Sequence, residues 1–187
     1  MDIFLNEFKD HYAIRLSGFE LEMYLSPDAD TYLRHLEQQR GTLTMLSQKT
    51  RKFIILISFM PQWLSNSSDR RRIEGNWSNF SAHSPKDYEK WRQLVKSTAI
   101  YFSQFKNVER YYEIWNEPDL FYWQEGTPEY LKLYDETIRA LKSGDSQGKV
   151  GGSATNGWQG KPKSSPNSDI LNLELIRYAK RNSLPLD

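Results

Sequence analysis

The stretch YYEIWNEPDLFYW, from Tyr111 to Trp123, decides the fold. Its first five residues are aromatic or aliphatic apart from one glutamate, a composition that favours a β-strand. Pro118 stops that strand, because proline has no N–H to donate to a sheet ladder. Asn116 and Glu117 therefore follow the strand directly. An amide and a carboxyl group are thus expected at its carboxyl end, with aromatic rings on either side.

Strands and helices alternate along the rest of the chain. The predicted strands are 12–16, 53–57 and 149–154, and the predicted helices are 2–11, one from Asp28 or Asp30 toward Leu46, one from Ser84, one from Thr127, and 169–182. This alternation predicts an α/β fold of parallel βαβ units, which fits both a TIM barrel and a doubly wound sheet. No glycine-rich nucleotide fingerprint follows any of these strands. We favour the barrel because residues 61–63, 116–117 and 153–158 all lie at strand ends, where a barrel carries its reactive groups.

Bulk properties restrict the classes of partner. The 187 residues suit a single domain, 1–187, and the net charge of +1 gives no electrostatic reason to expect nucleic acid or a membrane surface. The absence of cysteine excludes disulfides and thiol nucleophiles, and the 3 histidines lie at unrelated spacings that predict no metal site. The chain as given contains neither a signal peptide nor an apolar run of membrane-spanning length. The compartment therefore stays open.

Glu117 suits the cleavage of a glycosidic bond. That reaction generally requires two carboxyl groups, one of which protonates the leaving oxygen. The Asn116 amide could hold a sugar hydroxyl, and the rings of Trp63, Trp115 or Trp123 could stack on the apolar face of a pyranose. The alternative is that Glu117 is simply a packed or solvent-facing strand residue. The residues alone leave both interpretations open.

Several motifs bear a family resemblance. The tetrapeptide Trp115-Asn-Glu-Pro118 resembles the signature of the fourth barrel strand in the clan A glycoside hydrolases. Its context, from Glu113 to Trp123, resembles family 39, which includes β-xylosidases and α-L-iduronidases. SFMPQWLS (58–65) and KVGGSATNGW (149–158) are similar to the ends of that family's third and fifth strands, and AIRL (13–16) is similar to its second-strand region.

The resemblance implies a (β/α)8 barrel and a retaining, two-step hydrolysis of a carbohydrate substrate without a cofactor. It makes Glu117 the general acid/base and Asn116 the neighbour that binds the sugar's 2-hydroxyl. It places Trp63 and Trp158 at strand ends near the sugar. Arg15 matches an arginine that supports the carboxylates, although a surface or ion-paired arginine is an equally good interpretation.

One half of the expected machinery is missing. In this clan the nucleophile is a second glutamate at the end of strand seven, and a full barrel needs about 250 residues. Counted from the Trp-Asn-Glu-Pro strand as the fourth, the chain is an incomplete barrel from about strand two to helix five. NSLPLD (182–187) then leads toward strand six.

Two hypotheses follow. The first is the central part of a family 39-like glycosidase, which alone should hydrolyse poorly or not at all. The second is a non-catalytic barrel remnant that binds carbohydrate or associates with a second copy, because open sheet edges invite pairing. The sugar, its linkage and the identity of the nucleophile stay open.

Overall fold

A parallel sheet covered by helices forms the centre of the protein. The computed structural model describes residues 13–17, 23, 25–74, 77–156 and 171–187. In chain order its elements are β1 (Ala13–Leu16), α1 (Ala29–Gln38), α2 (Arg40–Ser47), β2 (Lys52–Ile57), β3 (Arg72–Glu74), β4 (Trp77–Ser78), a 3-10 helix (Asn79–Ala82), α3 (Tyr88–Phe102), β5 (Glu109–Ile114), α4 (Gly126–Gly144), β6 (Lys149–Val150) and α5 (Leu171–Arg181).

The order of the sheet is the one that a barrel requires. Its four strands lie side by side as β1-β2-β5-β6, and all three pairings are parallel. A doubly wound sheet reverses its strand order at a switch point, whereas a barrel adds each new strand to the same side. The sequential order therefore confirms the predicted partial (β/α)8 barrel. The small antiparallel pair β3-β4 lies apart from this sheet, in the long polar segment after β2.

The two faces of the sheet differ in burial. Phe53, Ile55 and Ile57 of β2 alternate toward the helices and are almost completely buried. On the opposite face, Ile54 and Tyr111 are only partly buried and border an open cavity of about 700 Å³. The apolar run 53–57 favours a strand covered on both faces. On the inner face Leu56 is buried as expected, whereas Ile54 is only partly covered. This open inner face leaves room for further strands.

The helix boundaries agree only in part with the predicted ones. Of the two predicted caps, Asp28 is the one that caps α1, because it accepts the backbone N–H of Thr31 at 2.7 Å. The helix breaks at Gln39 instead of continuing to Leu46. The next helix was predicted from Ser84, with Pro85 at its first helical position, but α3 begins at Tyr88 behind the N-cap Asp87.

Part of the prediction lies outside the described residues. This applies to Trp158, to the predicted helix 2–11 and to the first two residues of the predicted helix 169–182. In the part of the chain that the structure describes, no helix is both long enough and apolar enough to cross a bilayer.

Candidate active site

The backbone directly after β5 is unusual. Trp115 and Glu117 have φ angles of 70° and 44°, in the left-handed region that residues with a side chain seldom adopt. Their surroundings hold this conformation in place. The Trp115 N–H donates to the Ile57 carbonyl at 3.1 Å, and the Glu117 N–H donates to the Ala154 carbonyl at 2.8 Å. Backbone of this kind concentrates at functional sites.

The side chain of Glu117 has a partner that the sequence did not reveal. The Asn156 side-chain amide donates to Glu117 Oε1 at 3.2 Å, and the Asn156 backbone N–H donates to Asp119 Oδ1 at 3.0 Å. Glu117 is partly exposed, whereas Asp119 is buried. The only sequence signal for Asn156 was its place two residues past Ala154, at the end of the neighbouring strand.

An ion pair between Arg15 of β1 and Glu113 of β5 orients Asn116. The Arg15 guanidinium lies 2.6 Å and 3.3 Å from the two carboxylate oxygens of Glu113, and it also donates to Asn116 Oδ1 at 2.9 Å. Because Oδ1 accepts from Arg15, the amide of Asn116 offers its Nδ2 donors to a ligand. Arg15 is therefore ion-paired, and the same contacts bring it to the site. Glu113 was not among the predicted site residues.

Two of the predicted aromatic residues, Trp115 and Trp123, lie in the core. Trp115 and Trp123 are fully buried, and their rings pack edge to face with centroids 5.1 Å apart. Their indole N–H groups donate at 2.8 Å to the carbonyls of Tyr122 and Gly126. Neither ring offers a free face to a sugar, so the prediction that they stack on substrate was wrong for this structure. They support the backbone around Glu117 instead.

The placement of Trp63 near the sugar stays a prediction. Trp63 borders a cleft of about 590 Å³, together with residues 25–27, Gln62, Arg70, Ser78 and Phe80. The Trp63 ring is half-buried, and its Nε1 makes no hydrogen bond within the described structure. No described contact joins Trp63 to Glu117. Of the predicted residues, the structure thus brings together Glu117, Asn116 and Arg15.

Comparison with known proteins places these residues in a family context. The family "Glycosyl hydrolases family 39" matches residues 35–187. The chain belongs to glycoside hydrolase family 39. Glu117 and Asn116 lie inside the matched range, whereas Arg15 precedes it.

Two curated relatives of this family 39 chain are described as β-xylosidases. One, from Caldicellulosiruptor saccharolyticus, is 34% identical over 143 residues, which are 73% of this chain and 26% of that protein. The other, from Geobacillus stearothermophilus, is 34% identical over 109 residues, which are 55% of this chain and 20% of that protein. The chain thus spans about a quarter of the length of these relatives or less.

Solved structures agree on the fold of the family 39 chain. The family 39 enzyme from Xanthomonas axonopodis pv. citri superimposes with a TM-score of 0.64 at 21% identity, covering 97% of this chain and 34% of that one. The family 39 β-xylosidase from Caulobacter crescentus gives 0.65 at 20% identity, covering 98% and 40%. These likenesses show that the sheet described above is part of a (β/α)8 barrel.

A half-buried acid holds the loop that follows Glu117 in this family 39 chain. Glu125 accepts hydrogen bonds from the Asn66 side chain at 2.6 Å, the Ser84 N–H at 2.7 Å and His83 Nδ1 at 3.3 Å. Burial disfavours the charged form, but the hydrogen bonds from His83, Asn66 and Ser84 outweigh it and lower the pKa of Glu125 to about 2. The far end of the Glu117 loop (residues 115–125) is thereby tied to the long segment after β2.

The side chains around Glu117 do not resemble a metal site. Among the residues described, no group of three or more His, Asp or Glu side chains is arranged to hold a metal ion. The oxygen atoms around Glu117 are instead occupied by amide, guanidinium and backbone donors.

Proposed function

We propose that this chain carries the acid/base half of a retaining glycosidase, with Glu117 as the general acid/base. The observation that carries the proposal is the location of Glu117 at the carboxyl end of a parallel barrel strand, which is where reactive groups lie in this fold. Among the described residues Glu117 takes part in no ion pair. A carboxyl group locked to a cation could not deliver a proton, so the partly exposed Glu117 suits this role.

The chemistry uses Glu117 twice. In the first step its carboxylic acid gives a proton to the leaving oxygen while a second carboxylate attacks the anomeric carbon. In the second step the Glu117 carboxylate takes a proton from the water that hydrolyses the glycosyl-enzyme. Asn116 supports both steps, because its Nδ2 can donate to a sugar hydroxyl oxygen while Arg15 holds its Oδ1.

We propose none of the described carboxylates as the nucleophile. Glu113 is held by Arg15, and buried Asp119 accepts from the backbone of Asn156. Neither is free to attack an anomeric carbon. The resemblance to the clan assigns the nucleophile to strand seven, so we expect the chain alone to turn over substrate poorly or not at all.

The substrate class follows from the relatives. Both curated proteins at 34% identity are described as β-xylosidases. We therefore propose β-xylosides as the first substrates to assay for a protein in which this chain is joined to the remaining barrel strands.

The test uses aryl β-xylosides with good and poor leaving groups. The chain and a version extended through the eighth barrel strand are assayed side by side. In the extended protein, Glu117→Gln should lower kcat on the poor leaving group by roughly 10²–10⁴-fold, which is the usual contribution of general acid catalysis. Glu174→Gln, the same chemical change on α5, is the matched control. Turnover by the short chain that survives Glu117→Gln would dismiss the assignment.

A second candidate is a non-catalytic remnant that binds carbohydrate or self-associates. It is favoured by the open inner face of the sheet and by Ile176 and Leu186, which are 44% and 40% exposed at the rim of the 700 Å³ cavity. Exposed apolar surface of this kind promotes association. Size-exclusion chromatography should show a dimer or aggregates in that case. A compact, stable monomer would count against it.

A further inference from the structure

The contact between Asn156 and Glu117 makes the two carboxyl oxygens of Glu117 inequivalent. The Asn156 amide nitrogen carries only donors, so in the orientation that the structure shows, Oε1, which lies 3.2 Å away, accepts in either protonation state of Glu117. A proton on Oε1 would face another N–H group. The reverse orientation of the amide would set two acceptors against each other whenever Glu117 is ionised. The proton of neutral Glu117 therefore belongs on Oε2.

Asn156 is fixed by contacts that do not involve its side-chain amide. Its backbone N–H donates to buried Asp119, and the Ala154 carbonyl two residues earlier accepts from the Glu117 N–H. The intervening Thr155 accepts from the Asn172 side chain at 2.6 Å, which ties the segment to α5. The donor is thus held on the Glu117 side and on the helix side. Asn156 is itself exposed, and these contacts hold its backbone so that its side chain stays within reach of Glu117.

We infer that Asn156 is a positioning residue that selects Oε2 of Glu117 as the oxygen that gives and receives the proton. The inference rests on the proposed acid/base role of Glu117. When the proton leaves Oε2 for the leaving oxygen, the bond from that oxygen to the anomeric carbon breaks and the carboxylate gains negative charge. The Asn156 hydrogen bond strengthens as that charge forms, because bonds to ionised acceptors are about twice as strong. In the second step a proton from water returns to Oε2.

The inference predicts a change in the titration of one carboxyl group. Glutamate labelled with ¹³C at the carboxyl carbon is introduced into the full chain, and the Glu117 signal is identified by its loss in Glu117→Gln. Asn156→Ala should move the midpoint of that signal upward by about 0.5 to 1 pH unit, since the carboxylate loses a donor. Asn156→Asp should move it further upward, because a like charge replaces the donor.

Asn172→Ala is the matched control. It removes the hydrogen bonds to Thr155 and Ser153 from the same segment without touching Glu117. We expect its midpoint to stay at the wild-type value. An unchanged midpoint in both Asn156 variants would overturn the inference. An equal shift in Asn172→Ala would also overturn it, because loosening of the segment would then explain the effect.

A second measurement covers variants that fail to fold. The side-chain N–H₂ signals of Asn156 in wild-type protein should shift as Glu117 titrates, and this shift should vanish in Glu117→Gln. Asn156 side-chain signals whose chemical shifts do not change as Glu117 titrates would also overturn the inference. These outcomes are separable from the proposed function. Activity that survives Glu117→Gln rejects the acid/base assignment, whereas an absent coupling with activity that depends on Glu117 rejects only the role of Asn156.

Discussion

Glu125→Gln is the most informative test of how the Glu117 loop is held. The substitution keeps the shape of the side chain but removes its charge. It also turns one acceptor oxygen into an amide nitrogen that faces the donors of Asn66, His83 or Ser84. A donor set against another donor is left without its hydrogen bond. The loop should therefore lose one hydrogen bond and the charge that strengthened the others.

The magnitude follows from the pKa of Glu125. It falls from an ordinary value of 4.5 to about 2, and each unit corresponds to ~1.4 kcal/mol. Because the site is partly exposed, solvent screening reduces this free energy, and we expect Glu125→Gln to lower the free energy of unfolding by about 1–2 kcal/mol at pH 7. A depressed carboxylate pKa stabilises the fold fully above pH 4.5. That contribution is lost as the pH falls toward 2.

The assay is urea unfolding followed by tryptophan fluorescence at pH 7 and at pH 3. The difference between wild type and Glu125→Gln should shrink at the lower pH. Glu174→Gln on α5 is the control, and it should stay within about 0.5 kcal/mol of wild type, as is usual for substitutions away from such networks. Equal stability of wild type and Glu125→Gln at pH 7 would refute the reasoning. A difference that is as large at pH 3 as at pH 7 would refute the electrostatic part.

Three further predictions concern stability. Asp145→Ala should lower the free energy of unfolding by about 3–5 kcal/mol, because it leaves the buried Arg110, whose Nε lies 2.6 Å from Asp145, without its ion-pair partner. A urea midpoint near that of wild type would contradict this. Trp115→Phe should lower it by about 1–3 kcal/mol, because the carbonyl of Tyr122 loses its buried donor and the smaller ring leaves a void; an unchanged thermal midpoint would contradict it. Gly144→Ala should also destabilise the protein, because a Cβ at this position would lie 2.5 Å from the Lys96 carbonyl oxygen, where α3 meets α4. A calorimetric scan that matches wild type would contradict this close approach.

The sequence predicted the four strands of the parallel sheet because their signals are local, but it did not predict the small pair β3-β4. Phe53 to Ile57 is a continuous apolar run, and the Trp-Asn-Glu-Pro motif marks where β5 ends. The start of α3 was misplaced for a non-local reason. Pro85 forms an isolated bridge with Ser65, twenty positions earlier in the chain, so it belongs to a loop contact instead of the first helical turn. A local pattern cannot register such a contact.

The errors at the site have the same origin. Whether Trp115 points into the core or toward a ligand depends on its φ of 70°, and the residue type does not predict that angle. Asn156 and Glu117 are separated by 39 positions and meet only because β6 pairs with β5. Residues of this kind become visible once the strand register is known.

The organisation of the site follows from the four strands of the parallel sheet, in which Ile57 of β2 accepts from the Trp115 N–H. Arg15 comes from β1, Glu113 and the Glu117 loop belong to β5, and Ala154 with Asn156 follows β6. Every described contact that orients Glu117 or Asn116 is made within this block of parallel strands. The geometry of the proposed proton donor therefore does not depend on the strand that the clan uses for its nucleophile. We expect Glu117 to show its coupling to Asn156 in the chain as given, even where hydrolysis is absent, because positioning of the acid and supply of the attacking carboxylate are separate structural tasks.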